Sequence, residues 1–366
     1  MSIHPIFILF FILLSFSITG CQHQKKLTYD LTVNKNLAST NKTFKTIQAA
    51  INAVPDNAQK SYRIFIHPGQ YYEKITITKP NIQLIGKNKD NTRLYYNAYA
   101  GQTYAAGKTW NTSGSATLTI QAENILIQEI TIENTFDFLA NDRLVSNDPK
   151  RTLYAQAVAL FVDKGSNKTL VRNSRLLGYQ DTLFVNSGRS WFDKTLIAGN
   201  VDFIFGNGNS LFTHSEIRTR ARSKLYFPHG YLTAPSTQIS EKYGLTFINC
   251  RLTRDHSVPD NSVPLGRPWH PTTQFADGLY ADPDAIGKAV FIHSWMDSHI
   301  FVDGWYSMDG TAKDGTKTPF LPEDARFFEY KSKGPGAQIN YKRRQLTNKE
   351  AKDYSRERIL GDWKVE

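Results

Sequence analysis

The sequence predicts an all-β solenoid, in which short strands coil into stacked parallel rungs. The 366-residue chain is rich in Tyr and Phe and poor in Met and Cys, a composition that favours strands over helical bundles. From about Arg63 onward, short runs rich in β-branched residues each end at Gly or Asn, and no helix of ten or more residues fits between them. Similar segments also recur along the chain, which favours a solenoid over a sandwich or a barrel.

The recurrence predicts the size of one rung. Leu170 in KTLVRNSRL and Leu196 in KTLIAGNVD lie in matching contexts, and their residue numbers differ by 196 − 170 = 26. Ile125 in NILIQEI precedes Leu170 by 170 − 125 = 45, which we interpret as two such steps. One rung is therefore expected to hold roughly 22–26 residues, with two or three short strands stacked parallel on the next rung.

The first forty residues are expected to lie outside the solenoid. Residues 1–20 contain no Asp, Glu, Lys or Arg, and their apolar run at 6–16 is typical of a signal peptide and short for a membrane span. The run ends in Ile-Thr-Gly-Cys21, which resembles a bacterial lipobox, so Cys21 is predicted to be lipidated. The protein is then exported to the cell envelope as an outer-membrane-anchored lipoprotein, or else secreted. Residues 21–40 are polar and are interpreted as a tether.

Residues 41–366 are predicted to form one domain. The segment 43–53 has apolar residues at helical spacing and is expected to form a short amphipathic helix that caps the solenoid. The segment 309–318 is expected to form an exposed loop. Four asparagines near the predicted rung corners are expected to order turns through their side-chain amides: Asn124, Asn173, Asn200 and Asn249.

Charge and missing motifs narrow the function classes. The formal net charge of +11 attracts polyanions such as nucleic acid, anionic lipid or acidic polysaccharide. Nucleic acid is not expected as a partner, because the sequence lacks zinc-finger spacing, a recognition-helix pattern and an aromatic ribonucleoprotein signature. Neither a serine nucleophile elbow nor a metal-binding spacing is present, so no metal is expected. Cys250 is the only cysteine besides Cys21, and an intramolecular disulfide is not expected.

Two aspartates have unusual neighbours in the sequence. Asp181 lies in GYQDTL (178–183), and Asp202 is embedded between apolar residues in VDFIFG (201–206). Burying an unpaired carboxylate is unfavourable, so such a group tends to be paired or functional. Their residue numbers differ by 202 − 181 = 21, which is close to one rung and would stack them on one face. Like charges about 5 Å apart split their titrations, which would give one ionised nucleophile and one protonated general acid.

Two amides and an arginine extend this constellation. Gln180 adjoins Asp181, and Gln156 precedes Gln180 by 180 − 156 = 24, again about one rung. Two amides beside two carboxylates could donate hydrogen bonds to a developing oxyanion. Arg267 could pair with the ionised aspartate and hold its orientation. On spacing alone a structural interpretation stays open: one aspartate would cap a turn, the other would form an ion pair with the arginine, and the glutamines would form corner ladders.

Five segments, taken in order, resemble the signature segments of the pectin methylesterase (pectinesterase) family, and the N-terminus resembles that of a bacterial lipoprotein member: PGQYYE (68–73), QAVAL (156–160), GYQDTL (178–183), DFIFG (202–206) and LGRPW (265–269). The resemblance implies a single-stranded right-handed parallel β-helix, with a short capping helix and long loops flanking the cleft. It also implies hydrolysis of the methyl ester of galacturonate units in pectin, with release of methanol and without a metal or organic cofactor.

The resemblance further implies residue roles. Asp202 would be the nucleophile and Asp181 the acid and then the base, while Gln156 and Gln180 would form the oxyanion hole and Arg267 would bind Asp202. Among the substrate-binding residues, Trp269 would line the sugar cleft. Thr112 lies near a segment that borders the cleft in related enzymes, and Phe205, with Phe184 and Tyr179, would stack on sugars or pack in the core. The expected partners are pectin and, through the N-terminal lipid, a membrane; the protein is expected to be monomeric.

Two alternatives from other classes stay open. A retaining glycoside hydrolase also uses two carboxylates about 5–5.5 Å apart. The paired glutamines argue against it, because an oxocarbenium ion does not call for an oxyanion hole. A non-catalytic, carbohydrate-binding β-helix lipoprotein of the cell envelope would share the fold without the activity. The presence of both aspartates, both glutamines and the arginine argues against this second alternative.

Overall fold

The computed structural model describes Met1 and residues 28–364. Three parallel sheets wind around one apolar interior, and the fold is the parallel β-helix that the sequence predicted. The predicted signal peptide beyond Met1, the lipidation site Cys21 and residues 22–27 of the tether lie outside the described residues. None of the helices that are described is long and apolar enough to cross a membrane.

Each central rung contributes one strand to each sheet, in the chain order A, B, C, and all pairings within the three sheets are parallel. Sheet A has eleven strands, in spatial order Thr43–Phe44, Leu31–Val33, Tyr62–Ile66, Ile82–Gly86, Glu123–Gln128, Asn167–Arg172, Arg189–Asp193, Asn209–Thr213, Leu245–Ile248, Lys288–Ile292 and Arg326–Tyr330. Sheet B has eight, in the order Trp295–Met296, Arg251–Arg254, Glu216–Thr219, Leu196–Gly199, Arg175–Leu177, Thr131–Asn134, Thr92–Tyr96 and Gly69–Tyr72. Sheet C has six, in the order Thr233–Pro235, Ile204–Gly206, Leu183–Val185, Leu160–Val162, Leu118–Ile120 and Ile75–Ile77.

Hairpins and short helices project from the coil. The antiparallel hairpins pair Thr103–Ala105 with Lys108–Thr109, Thr272–Phe275 with Gly278–Ala281, and Met308–Thr311 with Lys317–Phe320. The helices of the described chain are Ile47–Asn52, Phe138–Arg143, Asn348–Ala351 and Arg356–Leu360, with a 3₁₀ turn at Ser113–Ser115. All are shorter than ten residues, as the sequence predicted.

Helix Ile47–Asn52 is the predicted capping helix, shorter than the expected segment 43–53. It begins after Thr46, whose side chain accepts a hydrogen bond from the first turn. Glu73, the last residue of the segment PGQYYE, accepts the backbone N–H groups of Ile47 and Gln48 at 2.9 and 3.1 Å. These donors have no partner within the helix, so the carboxylate fixes the helix onto the first rungs.

The solenoid begins earlier than the predicted boundary at residue 41. Strand Leu31–Val33, which lies in the segment interpreted as a tether, pairs in parallel with Tyr62–Ile66. Leu31 and Val33 are buried in the core, while the intervening Thr32 faces outward. A strand of three residues gives only two apolar positions, so its two-residue period is hard to distinguish from a polar segment.

The repeat in the centre of the coil is shorter than predicted. Leu170 pairs with Trp191, a step of 191 − 170 = 21 in residue number, and Trp191 pairs with Leu211, a step of 211 − 191 = 20. Leu196 pairs instead with Arg175, in another sheet. The match between Leu170 and Leu196 was therefore wrong, because the two leucines belong to different faces of the coil.

The interpretation of the spacing between Ile125 and Leu170 as two rungs was also wrong. Ile125 pairs directly with Thr169, so a step of 169 − 125 = 44 in residue number makes a single rung. The extra length lies in a long excursion at 135–159, between strands of sheets B and C. The predicted loop at 309–318 is largely the hairpin that begins at Met308–Thr311.

The corner between sheets A and B has the same backbone geometry in successive rungs. Its first residue has a positive φ throughout the series Glu129, Asn173, Lys194, His214, Asn249, His293 and Lys331. The residue after it is often small and hydrogen-bonds between rungs: Ser215 Oγ accepts the N–H of Thr195 at 3.1 Å, and Ser294 Oγ accepts that of Cys250 at 3.3 Å. Two of the four asparagines predicted at corners lie in this series.

The interior contains a column of stacked aromatic rings. Phe192, Phe212, Phe247 and Phe291 follow one another on neighbouring strands of sheet A, with ring centroids 4.8, 4.4 and 4.4 Å apart. All four are fully buried. Because parallel rungs bring equivalent residues into contact, this register repeats one side chain along the coil.

Candidate active site

The two aspartates occupy equivalent turns of adjacent rungs, where the chain passes from sheet B to sheet C. Each lies two residues before a strand of sheet C, and those strands pair in register, Leu183 with Ile204. The N–H of Asp181 donates to the carbonyl of Val201, next to Asp202, at 3.0 Å. The structure therefore stacks the two turns about one strand spacing, roughly 4.8 Å, apart, and both carboxyl groups line the same cleft.

Both aspartates have left-handed backbone conformations, with φ of 63° for Asp181 and 49° for Asp202. Positive φ is uncommon outside glycine, although Asp tolerates it better than most residues. Such conformations persist where the surrounding structure imposes them, and they are frequent at functional sites. The tight turns hold both carboxyl groups at the same cleft.

Asp202 is held by a bidentate pair with Arg267. The Nε of Arg267 donates to Oδ1 at 2.9 Å and Nη2 donates to Oδ2 at 2.5 Å. The guanidinium also lies over the ring of Tyr231, 3.9 Å from its centroid. Burial, the largest single effect, lowers the pKa of Arg267, but the charge of Asp202 and the hydrogen bonds to it, together with Tyr231 and Asp181, outweigh burial, and the pKa is raised. The pair therefore presents a fixed, ionised carboxylate to the cleft.

Asp181 has no comparable partner in the described part of the chain. Its burial raises the pKa of its carboxyl well above the ordinary value, and the negative charge of Asp202 raises it further. The positive charge of Arg267 opposes both effects without reversing them. The two stacked aspartates therefore differ in environment: Asp202 is paired with a guanidinium, whereas the surroundings of Asp181 favour its protonated form.

Gln156 and Gln180 lie beside the aspartates on adjacent rungs. The N–H of Ala157 donates to the carbonyl of Gln180 at 3.2 Å, which places the two glutamines at neighbouring levels. The buried Oε1 of Gln156 has no hydrogen-bond partner among the residues that the structure describes. The unpaired atom is a carbonyl oxygen, which accepts, so a hydroxyl donor and not an oxyanion would satisfy it.

These polar groups open into one cleft of about 290 Å³. Its lining residues are Thr112, Gln156, Gln180, Asp181, Phe184, Asp202, Phe205, Ala234, Arg267, Trp269 and Met308. All eight of the catalytic and substrate-binding residues predicted from the sequence are therefore brought together. Phe184 and Phe205 stack with centroids 4.3 Å apart, and Trp269 meets Phe205 edge-on at 5.6 Å. The cleft thus has a floor of aromatic rings on the outer face of sheet C.

The structure separates the aromatic residues near the aspartates. Phe205 and Phe184 line the cleft but are almost fully buried. Both residues therefore pack against the protein and also form part of the cleft wall. Tyr179 does not line the cleft: its ring stacks on Phe138 at 5.3 Å and under the guanidinium of Arg220 at 3.8 Å. The stacking role expected for Tyr179 is therefore taken up by protein contacts.

Three residues at the site were missed in the sequence. Tyr231 supports Arg267, Ala234 leaves room above the floor, and Met308 reaches the cleft from a hairpin. Tyr231 lies in a segment with no strand pattern, and Met308 borders a segment interpreted as a loop. Their spacing to the aspartates depends on long excursions, so no repeat signal could have identified them.

Other candidate groups stay outside the cleft. Cys250 is free and buried, and burial raises the pKa of its thiol to about 12. Across residues 28–364, no three His, Cys, Asp or Glu side chains converge in a geometry that could hold a metal ion. The expectation that the chemistry needs no metal or organic cofactor stays a prediction.

Comparison with known proteins gives one consistent family. A family model described as Pectinesterase matches residues 32–362. Pectinesterase A of Dickeya dadantii (strain 3937) is 44% identical over 345 residues, which cover 93% of each protein. The pectin methylesterase from Erwinia chrysanthemi has a TM-score of 0.88 and 45% identity, covering 92% of this chain and 98% of that one. The pectin methylesterase from Yersinia enterocolitica has a TM-score of 0.84 and 44% identity, covering 88% and 100%.

Proposed function

The chain belongs to the pectinesterase family of carboxylic ester hydrolases, and from this premise we propose that it removes methyl esters from the galacturonate units of pectin through an acyl-enzyme on Asp202. One observation carries the proposal. An ion-paired carboxylate and a buried carboxyl of raised pKa face two amides in a single cleft. A similar pectin methylesterase was solved in complex with a hexasaccharide, which supports a pectin-derived ligand here.

The first half-reaction forms the acyl-enzyme. The carboxylate of Asp202 attacks the ester carbonyl carbon, while Arg267 keeps the attacking oxygen in place. The amides of Gln156 and Gln180 donate to the oxyanion of the tetrahedral intermediate. The bond from the carbonyl carbon to the methoxy oxygen then breaks, and Asp181 gives its proton to the departing methanol. The raised pKa of Asp181 suits this step, because the carboxyl must still hold a proton when the ester arrives.

The second half-reaction restores the enzyme. Asp181, now ionised, takes a proton from water as the water oxygen attacks the acyl carbon. The intermediate collapses, the bond to Asp202 breaks, and the sugar leaves with a new carboxyl group, which then loses its proton to solvent water. Asp181 ends protonated and Asp202 ionised, as at the start.

The cleft fits a sugar polymer better than a small ester. Trp269 and the aromatic floor offer apolar faces to sugar rings, and Thr112 adds a hydroxyl to the lining. A retaining glycoside hydrolase would also place two carboxylates at this spacing. The two amides favour ester hydrolysis, because they supply donors to a carbonyl oxygen that glycoside cleavage does not generate.

The experiment measures methanol from methylated pectin with the purified protein. Asp202→Asn and Asp181→Asn are each expected to lower kcat on the order of 10³-fold or more. Asp56→Asn is the matched control, because Asp56 is exposed and remote from the cleft, and it should leave the rate unchanged. Full methanol release by Asp202→Asn, or new reducing ends without methanol, would contradict the proposal.

We also propose that the protein is exported, anchored through a lipid on Cys21, and monomeric. Export and the lipid anchor are supported by the apolar run at 6–16 and the Ile-Thr-Gly-Cys21 sequence after it. Mass spectrometry of the membrane fraction should show an acylated N-terminal cysteine, and Cys21→Ser should release the protein from the membrane. Light scattering of the mature protein tests the monomer. An unmodified Cys21 in the mature protein would contradict the anchor.

A further inference from the structure

A groove larger than the catalytic cleft crosses the outer face of sheet B, with a volume of about 700 Å³. It follows strand Leu196–Gly199, whose outward-facing residues Leu196 and Ala198 are short. Leu196 is paired with Arg175 on one neighbouring strand and Glu216 on the other, and Ala198 is paired with Leu177 and Arg218. The groove is therefore a gap above the uncharged side chains of one rung, bordered by the longer charged side chains of the two neighbouring rungs.

The groove is strongly basic. Six permanently cationic side chains line it: Lys89, Arg175, Lys194, Arg218, Arg220 and Arg251. Three carboxylates face them, those of Glu133, Glu216 and Asp255, and exposed His214 adds a titratable group. The cations outnumber the acids, so the groove carries a net positive charge that a polyanion would complement.

Some of these cations are already neutralised, and others are free. Arg218 pairs with Glu216 at 2.7 Å, and Arg175 pairs with Asp90 at the groove's edge. Lys194 and Arg251 are exposed and form no ion pair with any described residue. Both charges lie where strands Leu196–Gly199 and Arg251–Arg254 begin, with the guanidinium of Arg251 over the ring of Trp295, 4.8 Å from its centroid, and an extended anionic chain could contact both.

One end of the groove meets the catalytic turn. Arg220 lies at this end, and its Nη1 donates to the carbonyl of Gly178 at 2.9 Å. Gly178 begins the turn that carries Gln180 and Asp181. From Lys194 at the far corner the groove runs roughly 20 Å, at about 3.3 Å per strand residue, towards this turn. A polymer lying in the groove would thus end beside the cleft without entering it.

We propose that this groove binds a de-esterified stretch of polygalacturonate, the polyanion that the catalytic site produces. The identity of the polymer rests on the proposed function. Each turnover converts a neutral ester into a carboxylate, and a product segment held here would keep the remaining esters of the same chain near the cleft. Tethering of this kind raises the effective concentration of the next ester without any new contact in the cleft.

The chemistry of the groove favours an acidic sugar over nucleic acid. Leu196 and Ala198 form the floor and offer no aromatic face on which bases would stack. Glu133, Glu216 and Asp255 can accept hydrogen bonds from the hydroxyls that each galacturonate unit carries beside its carboxylate, and the phosphodiester backbone of DNA offers no such donors. Cations and acceptors side by side suit a chain that alternates carboxylates with hydroxyl groups.

The test is calorimetric binding of a fully de-esterified galacturonate hexamer at low salt. The wild-type protein should show two sites, one in the cleft and one in the groove. Lys194→Glu combined with Arg251→Glu should weaken binding at the groove site at least tenfold and leave the affinity of the cleft site unchanged. The matched control combines Lys331→Glu with Lys349→Glu, which changes the net charge equally on exposed residues outside the groove, and Lys331 has the same corner conformation as Lys194. The control should retain both sites.

Catalysis gives a second readout. On a short, fully methylated oligomer, the groove variant and the control should release methanol at the wild-type kcat and KM. On long, partly de-esterified pectin, KM should rise several-fold in the groove variant alone. A defect on the short oligomer would show damage to the cleft and would overturn the assignment of these residues to a separate site.

Three further results would overturn the proposal. The first is a single site in the wild type that survives in the groove variant. The second is equal weakening in the groove variant and the control, which would show an effect of bulk charge. The third is displacement of the hexamer by a DNA fragment of similar charge with equal affinity. A failure of the proposed function would be seen separately, as wild-type protein that releases no methanol from methylated pectin. The hexamer carries no ester, so its binding is measured independently of esterase activity.

Discussion

At the scale of single residues, Asp181 and Asp202 show that surroundings, not residue type, decide the chemistry. Both lie in the same turn of adjacent rungs with the same left-handed backbone. Arg267 holds one as an ion pair, whereas burial beside that pair raises the pKa of the other. In the proposed mechanism, one repeat of the coil would thus supply both a nucleophile and an acid from two copies of one side chain.

The glutamines allow a direct test of transition-state stabilisation. Gln156→Ala and Gln180→Ala are each expected to lower kcat by about 10²–10³ with little change in KM, because an oxyanion forms only after attack. Michaelis kinetics on methylated pectin measure both constants. A raised KM with an unchanged kcat would show instead that the amides bind the ground state. Gln59→Ala, at an exposed position, serves as the control.

Asp181 should lower stability at the pH where it supports catalysis. Its folded pKa is raised above the unfolded value of about 3.9. Its contribution to stability is therefore complete below about pH 3.9 and is lost as the pH rises through the folded pKa. Asp181→Asn removes this loss, so the variant should gain free energy of unfolding over the wild type as the pH rises from 4 to 8.

Urea unfolding at both pH values measures this gain. Asp56→Asn, at an exposed site, should show no such pH-dependent difference. Equal stability of Asp181→Asn and the wild type at both pH values would mean that the buried carboxyl is not strained.

At this scale, the sequence predicted which polar residues lie together in one cleft better than it predicted their apolar neighbours. Asp181, Asp202 and Gln180 lie on rungs joined by tight corners. A difference of about one rung in residue number therefore places two residues on adjacent rungs. Tyr231 and Met308 reach the site through longer excursions. Nothing in the sequence records where an excursion returns, so these two could not be placed.

At the scale of elements, the same contrast explains the error in the repeat length. Rungs in the centre, where Leu170, Trp191 and Leu211 are equivalent, are shorter than predicted because their corners are tight. The excursion at 135–159 enlarges one rung and hides the period from a search for equal spacing. Segment PGQYYE was singled out without a structural role, and Glu73 proves to anchor helix Ile47–Asn52.

The aromatic column should dominate the stability of the central rungs. Phe212 is fully buried between Phe192 and Phe247. Phe212→Ala is expected to lower the free energy of unfolding by about 3–5 kcal/mol, because it leaves a cavity and removes two ring contacts. Phe212→Leu should cost less, since it fills most of the space.

Chemical denaturation followed by circular dichroism measures both changes. Tyr341→Ala is the control, because Tyr341 is 90% exposed, and it should change stability by less than about 0.5 kcal/mol. Equal losses for Phe212→Ala and Phe212→Leu would contradict a role for cavity formation in the loss.

At the scale of the whole molecule, two buried histidines predict acid sensitivity. His229 and His299 are fully buried, and none of their ring nitrogens has a hydrogen-bond partner in the described chain. Burial lowers the pKa of His299 to about 3, with the charge of Asp297 acting in opposition. Unfolded histidine has a pKa of about 6.5, so stability is present above that pH and is lost as the pH falls towards 3.

His299→Leu should flatten this dependence. Wild-type protein should lose on the order of 1.4 kcal/mol per pH unit from this one group between about pH 6 and pH 3, and the variant should not. Thermal unfolding across this range measures the difference. Exposed His256→Leu is the control and should keep the wild-type profile. A wild-type profile in His299→Leu would assign the acid sensitivity to other groups.

The net charge of +11 illustrates what composition can and cannot predict for the whole molecule. It indicated an affinity for polyanions but not where the charge lies. The structure concentrates six cations in a groove on sheet B, away from the aromatic floor of the cleft. That concentration arises because arginines and lysines on different rungs meet on one face, which a linear sequence does not show.

The parallel pairing of rungs also fixes the distance between the two turns of the cleft. The spacing of the two turns that carry Asp181 and Asp202 is set by backbone hydrogen bonds between adjacent strands, such as those that pair Leu183 with Ile204. Substitutions around the cleft can therefore change the pKa of a carboxyl group or the affinity for substrate while the spacing of the two turns stays the same. Only an insertion or deletion between the two turns, which would shift the strand register, is expected to change their spacing.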